Sequence, residues 1–362
     1  MDSETRFQLI KEVGEEIITE QELRELLNTN DHPIAYDGVE PSGIVHLATG
    51  ILRAQHIENL LKAGVHFKLW VADWFAWLNN KFGGDLEKTQ TAGKYLVEAW
   101  KASGVDIKKV EIVWTSEAVK DPEYWKGVIT VAKNVTLARA QRAISIMGRT
   151  MGELKQTAFL FYPMMQVRDV FWLDCDITQL GLDQRRANIL AREVADKIKW
   201  KKPVVVSHHM LMGLQGVKQA EGFDENSQID VEISSKMSKS KPETAIFVHD
   251  SKEEIKRKIS NAFCQPKIIE NNPVLELCKY IIFKKMKNMD IERDKKYGGT
   301  ISYHSYEELE KDFREGKLHP VDLKNGVSEA LENIVSPVRK HFEKNQKAKD
   351  LYETVKKFEV TR

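Results

Sequence analysis

The residues best suited to chemistry sit in a serine-rich stretch, "VEISSKMSKSKPETAIFV" (231–248). Lys236 and Lys239 are interleaved there with Met237, Ser238 and Ser240, and Lys241 and Pro242 follow directly. The stretch is too polar for a buried strand, and Pro242 opposes a helix running through it. Two ammonium groups on a mobile loop can fold over a triphosphate and match charge that grows on a leaving pyrophosphate. Small serines let such a loop close when a nucleotide is present.

Possible partners lie far away in sequence. In "YDGVEPSGIVHLATGIL" (36–52), Gly38, Pro41 and Gly43 mark a tight connection, and His46 falls at the start of a helix. There the macrodipole favours an anion, although His46 alone would equally serve as a helix-start hydrogen-bonding group. Neither GxxxxGK[ST] nor GxGxxG occurs. In "LFYPMMQVRDVFWL" (160–173), Tyr162, Gln166 and Asp169 recur at helical spacing and form one polar stripe. Arg168 would suit a solvent face, but Phe161, Met164, Met165, Val170, Phe171 and Trp172 leave almost no room for one. A buried polar stripe lines either a hydrogen-bond network or a ligand pocket. "QLGLDQRRANILARE" (179–193) brings Asp183 and Gln184 to a helix start, where Asp183 is an N-cap or an acceptor for sugar hydroxyls. His208 and His209 are adjacent on a predicted strand and point to opposite faces, so no metal site is assigned to them.

An alternation of short apolar runs and longer helical patterns must position these groups. Strands are predicted at 33–36, 67–73, 110–114, 175–179 and 203–207, with helical faces such as Ala54, Ile57, Leu61 and Leu190, Val194, Ile198 between them. That order predicts a parallel sheet wound by crossovers, with ligands at the carboxyl ends of the strands. The first 30 residues look helical, with Thr19 and Glu22 as a capping box, and Ser251 with Glu254 and Ser305 with Glu308 suggest two more. Beyond residue 250 strand-like runs nearly vanish, and Pro320 begins a helix carrying Leu323, Val327 and Leu331. The expected division is an N-terminal helical segment (1–32), an α/β domain (33–234), a loop and linker (235–250) and a helical domain (251–362).

The 362 residues and 42% hydrophobic content suffice for two domains, and 55 basic against 54 acidic side chains leave the chain nearly neutral. A mild basic excess in the last third hints at a polyanion there. Three scattered cysteines without a CxxC exclude a disulfide framework or cysteine zinc site. A charged N-terminus and the lack of a long apolar run predict a cytoplasmic protein with no membrane partner.

In combination these residues resemble the class I aminoacyl-tRNA synthetases. "HLAT" (46–49) is similar to their HIGH signature, with Ala48 and Thr49 in place of its final Gly-His, and "KMSKS" (236–240) matches the second signature. "YDGVEPSG" (36–43), "YPMMQVRD" (162–169), "GLDQR" (181–185), "AFCQP" (262–266) and "LHPVDLKN" (318–325) resemble the tyrosyl-tRNA synthetases of the archaeal and eukaryotic branch, which often have serine where Lys239 stands. The resemblance covers residues 30–343. It implies a Rossmann-type catalytic domain followed by an all-helical anticodon-binding domain in a homodimer, and an end after the helical domain suits a minimal archaeal-type enzyme. The implied activity joins L-tyrosine to ATP, with Mg2+, and passes it to the 3′ end of tRNA(Tyr). Tyr36 and Asp169 would hold the substrate phenol, and Tyr162, Gln166 and Gln184 its ammonium group. Gly38, His46 and Thr49 would meet ATP, Asp183 its ribose, and Lys236 with Lys239 its pyrophosphate. Arg185 would lie near the first acceptor-stem base pair, and Tyr297, His319 and Asp322 would read the anticodon. The alternatives are a tryptophanyl-tRNA synthetase and a non-catalytic RNA-binding relative.

Overall fold

The computed structural model describes residues 1–149, 151–153 and 156–359. One sheet holds six strands: β1 (Gly14–Ile18), β2 (Ile34–Val39), β3 (His66–Val71), β4 (Val110–Trp114), β5 (Ile177–Thr178) and β6 (Val204–His208). Their spatial order is β1-β6-β5-β2-β3-β4. Strands β2 to β6 run parallel, and β1 is antiparallel to β6. The chain winds outward from β2 to β4 and then returns to the other side of β2. The order therefore reverses between β2 and β5, where Tyr36 stands in register with Thr178. Ligands of open α/β sheets bind in the crevice at such a reversal.

Side-chain alternation divides the core. Ala35, Val39, Phe67 and Leu69 join one apolar cluster, while Tyr36 and Trp70, offset by one residue, join another with Tyr124, Met165 and Val170. The first cluster continues into the C-terminal helices through Ile255, Leu275, Leu323 and Leu331. Those helices are Lys252–Ser260, Pro273–Leu277, Tyr306–Glu315, Pro320–Lys344 and Gln346–Lys356, with a small antiparallel ladder of β7 (Met289–Ile291) and β8 (Ile301–Tyr303) among them.

All five predicted strands are present. The first 30 residues, however, are not wholly helical, because β1 interrupts them. Its "GEEII" is too short and too acidic to signal a strand. What orders it is the neighbouring β6, whose five residues are all buried and whose outer edge needs backbone partners. Thr19–Glu22 and Ser251–Glu254 form reciprocal capping boxes. At Ser305 only half of the motif forms, since Glu308 accepts from the amide of His304 instead. Among the described residues no helix is long and apolar enough to cross a membrane.

Candidate active site

A cavity of about 380 Å³ opens at the carboxyl ends of β2 and β5. Its lining includes Tyr36, Gly38, His46, Thr49, Tyr162, Gln166, Asp169, Asp183, Gln184, Lys236 and Lys239. The stripe residues come from helix Phe161–Trp172, which tolerates Pro163 because its first turn has no intrahelical use for that amide.

Asp169 and Tyr36, each 1% exposed, belong to the innermost part of this lining. Asp169 Oδ1 accepts a 2.7 Å hydrogen bond from the hydroxyl of Tyr124. Burial pushes the Asp169 carboxyl well above its ordinary range, against the opposing pull of the Tyr124 hydroxyl, the Trp70 indole and Arg168. Burial and the nearby Asp169 raise the Tyr36 hydroxyl too, so it stays a neutral donor. The Tyr36 hydroxyl has no hydrogen-bond partner among the described residues. A buried group in that state calls for a ligand.

Above this floor, Gln166 Nε2 donates to Gln184 Oε1 at 3.0 Å, and Gln184 Nε2 donates to the Ile146 carbonyl at 3.1 Å. Tyr162 donates to Glu40 Oε1 at 2.6 Å, and Glu40 also accepts from Asn79 Nδ2 at 3.0 Å. The stripe thus presents carbonyl, carboxylate and hydroxyl oxygens that suit an ammonium group.

The opposite side is basic. His46 is buried, and burial, then Lys239 and Lys236, bring its pKa down to about 3, so the ring is neutral. Its backbone exchanges two 3.3 Å bonds with the Thr49 hydroxyl, which is thereby turned toward the chain. Lys236 pairs with Asp183. Gly181 leaves room for that carboxylate, since a Cβ there would stand 2.6 Å from Asp183 Oδ1. Lys239 is half-buried and reaches Ser42 Oγ at 3.3 Å, and desolvation lowers its pKa to about 8 against the pull of Glu40. The base of the loop is held by backbone contacts. Met237 is buried and its amide donates to the Leu211 carbonyl at 2.8 Å, while Gly213 N meets Ser235 O at 2.8 Å.

A cavity lined by Tyr36, Asp169 and the Tyr162–Gln166 stripe together with Lys236 and Lys239 stands beside the comparisons with known proteins. The family described as tRNA synthetases class I (W and Y) matches residues 28–336. The chain belongs to this family. It is 44% identical to tyrosine–tRNA ligase 1, cytoplasmic, of Arabidopsis thaliana, over 99% of this chain and 90% of that protein. It is 45% identical to the tyrosine–tRNA ligase of Sulfurisphaera tokodaii, over 98% of this chain and 97% of that one. The tyrosyl-tRNA synthetase of Pyrococcus horikoshii, solved with L-tyrosine, superposes with a TM-score of 0.89 at 42% identity, covering 98% of this chain and 100% of the other. The tryptophanyl-tRNA synthetase of Aeropyrum pernix, at 19% identity and a TM-score of 0.66, shares the fold.

Four predicted residues of this class I synthetase lie outside the cavity lining. Arg185 is engaged by Glu16 of β1 at 2.9 Å. Tyr297 is 63% exposed beside β8. His319 caps helix Pro320–Lys344, its Nδ1 accepting from the Val321 amide at 3.2 Å, and Asp322 stands in the first turn. Sequence reasoning missed Tyr124, Glu40 and the buried Asp37–Arg53 ion pair that lines the cavity. Burial lowers the Arg53 pKa to about 10, and Asp183 opposes this. A signal existed for Tyr124: it shares a helical face with Val128 and Val131, and a hydroxyl on an apolar face needs a partner.

Proposed function

We propose that the chain is a tyrosine–tRNA ligase that forms tyrosyl-adenylate and then charges tRNA(Tyr), with the sheet domain and its lysine loop performing activation and residues 251–362 contacting the RNA. The observation that carries the reading is the pairing of a buried, partnerless Tyr36 hydroxyl with Asp169 at one end of the cavity whose other end holds Lys236 and Lys239.

The substrate phenol lies between Tyr36 and Asp169, with Tyr124 holding the carboxylate from behind. Its ammonium group meets Tyr162, Gln166 and Gln184, and Glu40 orients Tyr162. The tyrosine carboxylate oxygen attacks the α-phosphorus of ATP. A new P–O bond forms as the bond to the β-phosphate bridging oxygen breaks, and pyrophosphate leaves with that electron pair. ATP enters as its Mg2+ complex, which supplies charge neutralisation. Gly38 allows the nucleotide close to the β2 backbone. Neutral His46 can hydrogen-bond a phosphate oxygen without adding charge, Asp183 accepts from the ribose hydroxyls, and Lys236 and Lys239 meet the growing pyrophosphate charge. Thr49 belongs to the same wall, and its hydroxyl must leave the His46 backbone to touch a phosphate. In the second step a terminal ribose hydroxyl of the tRNA attacks the acyl carbon, its proton is lost and AMP leaves. Arg185 is assigned to the acceptor stem once Glu16 releases it, and Tyr297, His319 and Asp322 to the anticodon. A cytoplasmic homodimer is part of the proposal, and sedimentation checks the dimer.

Pyrophosphate exchange into ATP, run with each of the twenty amino acids, tests the reading. Strong exchange with tyrosine alone is expected. Exchange with tryptophan instead would move the chain to the other branch of the family, and none at all would leave an RNA-binding relative.

A further inference from the structure

His209 follows β6 and is held from three directions. Its ring stacks on Tyr280 at 4.2 Å and 12°. Nδ1 lies 3.1 Å from Glu232 and 3.8 Å from Glu15, and Nε2 lies 3.2 Å from Glu276. A carboxylate beside each nitrogen favours the cationic imidazole, with Nε2 hydrogen-bonded to Glu276 and Nδ1 ion-paired with Glu232. The carboxylates come from three elements: the bulged β1, helix Ser227–Ser235 that ends at Lys236, and helix Pro273–Leu277 of the C-terminal region.

Two of these glutamates also fasten the neighbouring backbone. Glu232 accepts from the Met210 amide at 3.1 Å, and Glu276 accepts from the Met212 amide at 2.9 Å. Met212 in turn bridges to Lys236, on the same short ladder that anchors Met237. One ring therefore stands where the C-terminal helices, the helix leading into the lysine loop and the ladder under that loop meet.

We propose that His209 is a positioning residue for adenylate formation: its imidazolium clamps Glu232 to Glu276 and so fixes residues 209–213 as the platform on which Lys236 is set. This rests on the reading of Lys236 as a pyrophosphate-binding group. Burial disfavours the charged ring, but the hydrogen bond of Nε2 to Glu276 and the ion pair of Nδ1 with Glu232 outweigh it and raise its pKa to about 10. The other titratable groups around it are Glu15, Tyr280 and the buried His208 and His56, whose pKa values burial depresses. The ring is thus charged at neutral pH.

The test uses His209→Asn, Glu276→Gln and the double variant of the full chain. Glu276→Gln keeps an acceptor for the Met212 amide while removing the charge. Amide hydrogen exchange at residues 209–213 and 235–237 is expected to quicken in each. The KM for ATP in pyrophosphate exchange should rise about 3- to 30-fold while the KM for tyrosine stays put, and the double variant should be no worse than the worse single one. Nitrogen-15 spectra of the parent at neutral pH should show His209 protonated on both ring nitrogens. Unchanged hydrogen exchange in both single variants would overturn the clamp whatever the activity. Quicker exchange with an unaltered ATP KM, or with ATP and tyrosine KM rising together, would overturn its role in adenylation. Glu15, His209 and Glu232 offer ligand atoms within 4.8 Å of one another, so stoichiometric zinc lost in His209→Asn would replace the proton clamp by a metal one and overturn the proposal. A parent with no tyrosine-dependent exchange would strike down the functional reading and the positioning role with it, while hydrogen exchange would still report on the clamp.

Discussion

Replacing Tyr124 by Phe probes the cavity floor from behind. Tyr124 is fully buried and does not line the cavity, yet its hydroxyl bonds Asp169 at 2.7 Å. A hydrogen bond to a buried charged group is worth about 1.5–3 kcal/mol, so the loss should lower kcat/KM for tyrosine by about 10- to 150-fold. Phenylalanine offers no phenol to Asp169, and its poor use should not change. The preference for tyrosine over phenylalanine should therefore fall by the same factor. Asp169 is already pushed up by burial, and losing a donor raises it further. The acid limb of kcat/KM for tyrosine must then move to higher pH. Tyr36→Phe removes a neutral partner worth about 0.5–1.5 kcal/mol and should cost about 2- to 13-fold in the same ratio. Asp169→Ala should lose most of the preference and most of the activity. The assay is pyrophosphate exchange with both amino acids across pH, with thermal melting to confirm folding. A Tyr124→Phe enzyme that loses tyrosine and phenylalanine use equally has only a packing defect. One that keeps both its activity and its selectivity refutes the role given to Tyr124.

Three further outcomes are expected. Lys239→Ala should slow single-turnover adenylate formation by about 30- to 1000-fold, the scale of a charge contact made mainly in the transition state, with tyrosine binding little altered; an unchanged rate would reduce Lys239 to a surface lysine. Asp322→Ala should impair aminoacylation by about 5- to 150-fold, the cost of a lost base-edge contact, and leave pyrophosphate exchange intact; equal charging of transcripts with and without guanine at the first anticodon position would make Asp322 a helix-start acid only. His56 is buried neutral with its pKa lowered to about 3, so its contribution to stability is complete above the unfolded value near 6.5 and is lost as pH falls toward 3. His56→Gln should therefore flatten the acid decline of unfolding free energy by up to about 1.4 kcal/mol per pH unit, and parallel declines in denaturant melts at pH 7, 6 and 5 would contradict this.

What the sequence made legible follows from range. The stripe of Tyr162, Gln166 and Asp169 could be found because its spacing is local and its neighbours are apolar, and all three are buried in the cavity lining. The five parallel strands were visible as apolar runs for the same reason. β1 was not, because an edge strand with two glutamates derives its order from β6 across the fold. Glu40 and Asp37 carry no local signal in the sequence. Only the fold shows that Asp37 meets Arg53 and that Glu40 meets Tyr162. The half-made capping motif at Ser305 is a milder case, since the amide of His304 competes for the same carboxylate.

The paired state of Lys236 bears on how the proposed chemistry is switched on. Asp183 and Lys236 are assigned to the ribose and to the pyrophosphate, which lie at different parts of ATP, yet they are paired with each other. A half-buried ammonium without a counterion is costly, so each group satisfies the other until a nucleotide offers both better partners. A nucleotide such as ATP can do this, because ribose hydroxyls can occupy the carboxylate while phosphate oxygens draw off the lysine. A free amino acid or pyrophosphate supplies one half of the exchange and leaves the other group stranded. The backbone need not travel for the switch, since Met237 stays pinned beneath it and the lysine stem supplies the reach. In the arrangement seen, Lys236 pairs with Asp183 and Lys239 reaches Ser42 while Met237 is buried beneath them.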